Sequence, residues 1–229
     1  MPEMQIGHLT FQLNRKAIKN LHISVLPPDG LVRISAPEKM TETAIRMAVI
    51  SRIPWIKKQQ ESFQNQPRQS DREMVTGECH YLWGRRCRLV FNDYQGKQSV
   101  QKQGSSKLVL TVKPDTPVEK KAELLSRFYR AELQLNAEKL FSKWTPILGV
   151  EPSHWQIRKM KTKWGSCNTT THSINLNLEL AKKPPECLEY ILVHELIHLL
   201  ERHHNERFKS LMDQYLPDWR ERRNLLNSL

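Results

Sequence analysis

The sequence predicts an α+β protein, with a mostly β N-terminal part and a C-terminal part in which helices dominate. Segments that alternate apolar and polar residues, as half-buried strands do, are frequent in the N-terminal half. After Pro114 and Pro117 the apolar residues fall instead at helical spacings. We therefore predict a mostly β domain with one helix over residues 1–116 and a second domain over residues 117–229.

The N-terminal elements are predicted from alternation and turn signals. HISVL and LVRISA indicate strands on either side of PPDG, a turn in which Gly30 supplies the permissive backbone. The spacing of Ile45, Ala48 and Val49 predicts a helix over residues 41–64, kinked at Pro54. The polar segment QNQPRQSDRE is expected to be a loop, and HYLWGRRCRLVF and KLVLTV are strand-like. The sequence shows no internal repeat.

The C-terminal elements are a long helix, a strand and a second helix. Apolar residues between Val118 and Trp144 predict the long helix. INLNLEL alternates cleanly and predicts a half-buried strand; its polar face would carry Asn175, Asn177 and Glu179. Pro184 and Pro185 then open a helix that runs through HELIH.

Composition and charge limit the classes of function that the sequence can have. With 38% hydrophobic and 26% charged residues, the chain of 229 residues is typical of a globular protein. It has no apolar stretch of the roughly 20 residues that span a bilayer, so no membrane partner is expected. Four widely spaced cysteines and an N-terminus unlike a secretory signal predict a cytoplasmic location. The net charge of +12 favours anionic partners such as nucleotides, nucleic acid or acidic peptides, although a generally basic surface explains it equally well.

The pentapeptide His194-Glu195-Leu196-Ile197-His198 carries the most specific chemistry in the sequence. On a helix, His194 and His198 lie on one face, where both imidazoles can bind one ion. Glu195 is offset from them and can reach a water bound by that ion. The surrounding helix is apolar, and burying these polar groups there would be costly without a partner such as a metal. The alternative is a helix with incidental histidines and a solvated glutamate.

His204 is the predicted third ligand, because a catalytic site needs three protein ligands and one open position. A continuous helix would carry His204 off the ligand face, so the helix must end near Arg202 and the chain must turn back. Asn205 is a suitable cap for a new helix from Glu206. His203 is the rival ligand. Weaker candidates are the nearby acids, which are Glu201, Glu206, Asp213 and Asp218.

A basic segment, HWQIRKMKTKWGSCN, precedes the INLNLEL strand. Its cations and aromatic residues are suited to holding phosphates, although alternation would also send the lysines to one solvated face. Gly165 allows close approach of a ligand and Ser166 offers a hydroxyl, unless the segment is a bulge with a packed tryptophan. Cys167 is a nucleophile only if a base neighbours it. The predicted substrate-binding residues are Arg158, Lys161, Lys163, Trp164, Gly165 and Ser166.

These segments together resemble the YgjP-like metallopeptidase family, relatives of the WLM and SprT zincins. The similarity covers most of the chain and includes PDG, PWIKKQ, RKMKTKWGSC, INLNLEL, PPECLEYILVHELIHLLERHHNERF and LPDWRERRNLL. It implies a zincin-like C-terminal domain with an HExxH active-site helix, and a mostly β N-terminal part. It also implies His194, His198 and His204 as ligands and Glu195 as base. In the family pattern NHSxxF, His203 replaces the asparagine and Asn205 the serine.

The expected function is zinc-dependent hydrolysis of the metallopeptidase type. The resemblance also implies a first alternative on the same metal site, a nucleoside triphosphate pyrophosphatase that converts UTP to UMP and pyrophosphate. Magnesium or manganese would then assist, since hard cations bridge phosphates. The second alternative is a nucleic-acid-binding module with a structural zinc, which the base beside the metal motif disfavours. The expected substrate is therefore a peptide or a nucleotide.

Overall fold

The computed structural model describes residues 3–7, 9–26, 30–65, 73–93 and 96–228. The chain divides into two compact units, Met1–Arg72 and Glu73–Leu229. The mixed composition of sheets followed by helices confirms the α+β fold class. None of the helices in the described part of the chain is long and apolar enough to cross a lipid bilayer.

The first unit is a four-stranded sheet followed by one helix. Its elements are β1 (Glu3–Ile6), β2 (Leu9–Lys16), β3 (His22–Leu26), β4 (Leu31–Pro37) and α1 (Glu42–Asn65). The strand order is β1-β2-β4-β3, with β2 and β4 parallel and the outer pairs antiparallel. Phe11, Ile34, Ile45 and Val49 are fully buried in the core between sheet and helix. The predicted helix over 41–64 is confirmed, whereas residues 27–29 of PPDG and most of QNQPRQSDRE lie outside the described residues.

The second unit begins with a sheet of the same topology. Its elements are β5 (Cys79–Leu82), β6 (Arg85–Asp93), β7 (Ser99–Gln103), β8 (Lys107–Val112) and α2 (Val118–Leu148). The order β5-β6-β8-β7 again has a central parallel pair and antiparallel outer pairs. HYLWGRRCRLVF is therefore not one strand but a hairpin that turns at Trp83 and Gly84, both at positive φ. The structure thus contains a topological repeat that the sequence does not show.

The predicted boundary near residue 116 does not coincide with the division of the structure. Sheet β5–β8 and helix α2 belong to the same hydrophobic core as the C-terminal helices. Leu89 and Leu108 from the sheet, Leu133 from α2 and Leu192 from the next helix are all fully buried there. Pro114 and Pro117 mark only a short connection inside this unit, because the helix after them packs back onto the sheet.

The remainder of the second unit is a small sheet and three helices. The strands are β9 (His154–Arg158), β10 (Gly165–Asn168) and β11 (Ser173–Asn177), in the order β10-β11-β9. A 3₁₀ helix, Leu178–Lys182, leads to α3 (Pro185–Ile197), α4 (Glu206–Tyr215) and α5 (Trp219–Ser228). The strand predicted from INLNLEL is thus too long. It ends at Asn177, because the Asn177 side chain accepts the Glu179 backbone N–H and caps the 3₁₀ turn.

The β5–β6 hairpin is attached to the segment that leads into α3. The backbone N–H groups of Trp83 and Gly84 donate to the carbonyls of Ala181 and Lys182 at 2.9 and 3.1 Å. The Trp83 indole donates to Glu132 on α2 at 3.1 Å. A Cβ on Gly84 would lie 2.8 Å from Pro184 Cγ. The sheet therefore supports the start of α3 directly.

Candidate metal centre

Helix α3 carries the HELIH motif on a buried scaffold. Pro185 lies in the first turn of the helix, where a backbone N–H has no partner within the helix. The N–H that proline lacks therefore costs no helical hydrogen bond. Most of the helix is apolar and buried, including Leu188, Leu192 and Leu196. The helix ends at Ile197 with His198 as its C-cap, earlier than the predicted end near Arg202. His194 and Glu195 therefore lie in the last turn of α3, and His198 lies at its end.

The chain then turns back and brings His204 to the same place. Asn205 caps α4, and its side-chain oxygen accepts the Phe208 N–H at 3.0 Å, which confirms the predicted cap and helix start. The ligand atoms of His194, His198 and His204 lie within 4.8 Å of one another. His204 Nε2 is 3.0 Å from His194 Nε2. The three imidazoles thus converge as the sequence predicts, whereas His203 is not part of this cluster.

The histidine cluster rests on one aromatic ring. The ring centroid of Phe208 lies 4.8 to 4.9 Å from those of all three histidines. Phe208 is buried, and the cap at Asn205 fixes its position at the start of α4. Tyr190 contacts His194 edge-on, with the centroids 5.8 Å apart. Packing against aromatic rings therefore helps to fix the positions of the histidines.

The electrostatics of the cluster favour the neutral forms of His194 and His198. Burial, together with His198, His204 and Arg223, lowers the pKa of His194 to about 3. Burial likewise lowers the pKa of His198. His198 Nδ1 donates to the Glu201 carbonyl at 3.1 Å, which leaves its Nε2 available. His194 Nδ1 is buried with no hydrogen-bond partner in the described part of the chain. Three converging imidazoles are a donor set that zinc takes, so these residues fit a zinc ion.

Glu195 is placed beside the cluster and against β10. Its side chain is only 5% exposed, and burial raises its pKa to about 8 despite the opposing effect of Lys163. A Cβ on Gly165 would lie 2.5 Å from Glu195 Oε1 and 2.8 Å from its Cγ. Position 165 therefore requires glycine to leave room for the Glu195 carboxyl. Burial, and then Glu195, raise the pKa of Cys167 to about 11, which makes this thiol a poor nucleophile.

A cleft of about 600 Å³ opens over the cluster. Three of the predicted substrate-binding residues, Lys163, Gly165 and Ser166, line it, whereas Arg158, Lys161 and Trp164 are not among its lining residues. Arg158 ends β9, which β11 separates from β10 and the cleft. Trp164 is half-buried against the core, with Lys183 over its ring, in agreement with the packed alternative. The full lining is Lys163, Gly165, Ser166, Cys167, Asn168, Thr169, Thr170, His194, Glu195, His198, Arg202 and His204.

Asn177 is a site-supporting residue that the alternation pattern misplaces. It is only 4% exposed, although the pattern puts it on the polar strand face. Its side-chain amide donates to the carbonyls of Met160 and Lys163 at 2.9 and 2.7 Å, and its backbone N–H donates to Trp164. One buried side chain therefore fixes the loop that leads into β10. Arg202 at the cleft was also not predicted as a site residue.

Comparison with known proteins gives one family and several solved structures, among them two metallopeptidase zymogens. The model of the YgjP-like metallopeptidase domain matches residues 19–229. The metallopeptidase zymogen abylysin of Pyrococcus abyssi is 24% identical, covering 40% of this chain and 92% of its own, with a TM-score of 0.38. The zymogen jannalysin of Methanocaldococcus jannaschii is 24% identical, covering 41% and 90%, with a TM-score of 0.37. The search of curated proteins returned no match.

Proposed function

Since this chain belongs to the YgjP-like metallopeptidase family and is a metal-dependent hydrolase, we propose that it cleaves peptide bonds at a zinc site held by His194, His198 and His204, with Glu195 as the base. The observation that carries this proposal is the convergence of the three imidazoles next to one buried carboxyl in a single cleft. The three imidazoles would hold the ion, and zinc when bound would supply a water with a pKa lowered to about 7 and a Lewis acid for a carbonyl group.

Glu195 is suited to moving the proton. Burial raises its pKa to about 8, so this carboxyl has a higher proton affinity than an exposed glutamate. The carboxyl accepts the proton of the attacking water and then delivers it to the departing amine. The glycine at position 165 keeps this carboxyl free to face the cleft, because any side chain there would contact its oxygen.

Strand β10 is suited to holding an extended peptide. Among the described strands it forms one edge of its sheet and pairs with β11 only. All four of its residues, Gly165–Asn168, line the cleft. An extended substrate adds to such an edge through backbone hydrogen bonds, and its side chains then alternate between the two faces.

The two alternatives have less support. A nucleotide would need cations for the phosphates and a ring to stack its base. Lys163 and Arg202 line the cleft, but Arg158 and Lys161 do not, and neither does any described Phe, Tyr or Trp that could stack a base. Magnesium or manganese would assist only with a phosphate substrate. A structural zinc in a nucleic-acid-binding module would have four protein ligands and no need for the buried Glu195.

The test is the Glu195→Gln variant of the zinc-loaded protein. We expect peptide hydrolysis to fall by about 10²–10⁴-fold, because the amide cannot take up the proton. Zinc content, measured by mass spectrometry of the metal, should be unchanged. Glu186→Gln, an exposed position in the first turn of the same helix, is the control and should keep full activity. Full activity of Glu195→Gln would refute the assigned base.

A further inference from the structure

The cleft over the histidine cluster is polar and basic throughout. Apart from the proposed zinc and base residues, its lining consists of Gly165, Cys167, four small polar residues and two cations, Lys163 and Arg202. Among the described residues, no aliphatic side chain and no Phe, Tyr or Trp contributes to it. An apolar substrate side chain would therefore contact mainly polar groups in this cleft and no described aliphatic, Phe, Tyr or Trp side chain.

The two cations are held in no salt bridge with a described residue, although the charge of Lys163 acts on Glu195. Some other cations of the second unit are paired, for example Lys143 with Glu189 and Lys209 with Glu206. In the part of the chain that the structure describes, neither Lys163 nor Arg202 takes part in an ion pair. Both side chains are exposed, so their charges are available to a ligand.

Both cations are attached to fixed backbone next to the proposed reactive groups. The Lys163 carbonyl accepts the buried Asn177 amide at 2.7 Å, and Gly165, two residues later, contacts Glu195. Backbone groups of Glu201 and Arg202 hydrogen-bond the His198 ring. Bonds to the site therefore fix the backbone from which each of the two side chains reaches the cleft.

We propose that this cleft selects peptides with an acidic side chain next to the bond that is cleaved, and that Lys163 and Arg202 are the residues that recognise it. This inference rests on the proposed peptidase function. A carboxylate would form charge-assisted hydrogen bonds with the two cations, and the hydroxyls and amide of Ser166, Asn168, Thr169 and Thr170 would complete its polar surroundings. An uncharged amide of the same shape would lack the electrostatic attraction.

The test compares zinc-loaded protein on peptide pairs that differ only as Asp and Asn, or Glu and Gln, beside the cleavage site. We expect kcat/KM to be about tenfold higher for the acidic member of each pair, as for a charge-assisted hydrogen bond. Raising the salt concentration should narrow the difference. Lys163→Gln and Arg202→Gln should each reduce the preference. Lys159→Gln, which removes an exposed lysine outside the cleft, should leave it unchanged.

A binding measurement separates this inference from the proposed function. The same peptides are titrated onto zinc-loaded Glu195→Gln, which should bind without cleaving. Cleavage with equal kcat/KM for both members of each pair would overturn the selection and leave peptide hydrolysis intact. Acid-selective binding with no cleavage of any peptide by the unmodified protein would refute hydrolysis but support the selection. Tighter binding of UTP than of the acidic peptides, with pyrophosphate release, would overturn both.

Discussion

The two four-stranded sheets have the same strand order and pairing, yet they support different neighbours. Ile34 on β4 and Leu108 on β8 occupy corresponding register positions, and each is fully buried. The core around Ile34 is confined to its own sheet and helix. The core around Leu108 continues into α3, α4 and α5. The same topology therefore has a core limited to its own sheet and helix in the first unit. In the second unit it shares its core with the helices that carry the histidine cluster.

The difference lies in the turns and helices around the sheets rather than in the strands. A Cβ on Gly7, in the β1–β2 hairpin, would have no atom within 4 Å, whereas one on Gly84 would contact Pro184. Helix α1 leaves Met47, Ile50 and Trp55 exposed. Helix α2 packs against both its sheet and α3. The second sheet thus differs from the first in the contacts at its periphery and not in its strand order.

The largest expected effect comes from truncating the corresponding core residues. Leu108→Ala and Ile34→Ala should each destabilise their unit by about 2–5 kcal/mol, the usual cost of removing a buried aliphatic side chain. Only Leu108→Ala should also lower zinc content, because its core includes α3. Calorimetry measures the loss of stability in both variants, and metal analysis measures their zinc content. Equal zinc loss in the two variants would contradict the separation of the cores.

The next largest effect is expected at Gly165, where a substitution should cost about 3 kcal/mol of transition-state stabilisation. Gly30 serves as its comparison. Gly165→Ala should lower turnover by about 10²-fold, because the added methyl would displace the Glu195 carboxyl. Gly30 has a similarly close neighbour, Gln60 Cγ at 2.9 Å, but in the first unit. Gly30→Ala should therefore cost stability and leave kcat unchanged. Steady-state kinetics at a temperature where both variants are folded distinguish these outcomes.

The hairpin glycines provide a third comparison. Gly84→Ala and Gly7→Ala both place alanine at positive φ, at about 1 kcal/mol each. Gly84→Ala should lose about 1–3 kcal/mol more, because its methyl would overlap the rigid Pro184 ring. Denaturant unfolding monitored separately for the two units measures the difference. If the two substitutions cost the same, the hairpin is not a support for α3.

The smallest expected effect concerns ion pairs. Burial alone would raise the pKa of Glu189, but hydrogen bonds from Lys143, Arg222 and Trp144 outweigh it and lower the pKa to about 2. Since the folded-state pKa is depressed, this stabilisation is present above about pH 4.5 and is lost as the pH falls toward 2. Glu189→Gln should cost about 1–2 kcal/mol at neutral pH and flatten the acid limb of the stability curve. The exposed Glu42–Arg46 pair on α1 is the control, and Glu42→Gln should cost under about 0.5 kcal/mol.

Local patterns in the sequence predict the helices, the Asn205 cap and the histidine cluster, because helical spacing and capping act within a few residues. They do not predict the hairpin at Trp83, which lacks the usual Asn-Gly or Asp-Gly signal. The repeat is invisible because register positions that correspond carry unrelated side chains, such as Phe11 and Cys87. Asn177 is misplaced because its burial depends on a loop that approaches it from Met160 and Lys163. The repeat and the burial of Asn177 depend on contacts between residues far apart in the chain, and an alternation pattern does not predict such contacts.

The bonds between the β5–β6 hairpin and the segment before α3 also bear on the order of folding. Trp83 and Ala181 are joined across roughly 100 residues of chain, whereas the first sheet and α1 are built from contacts inside a much shorter segment. Closing long loops is slow, so contacts of this kind form late. During synthesis the first unit can fold while the second still waits for its C-terminal helices. Hydrolytic competence would therefore be the last property that the chain acquires.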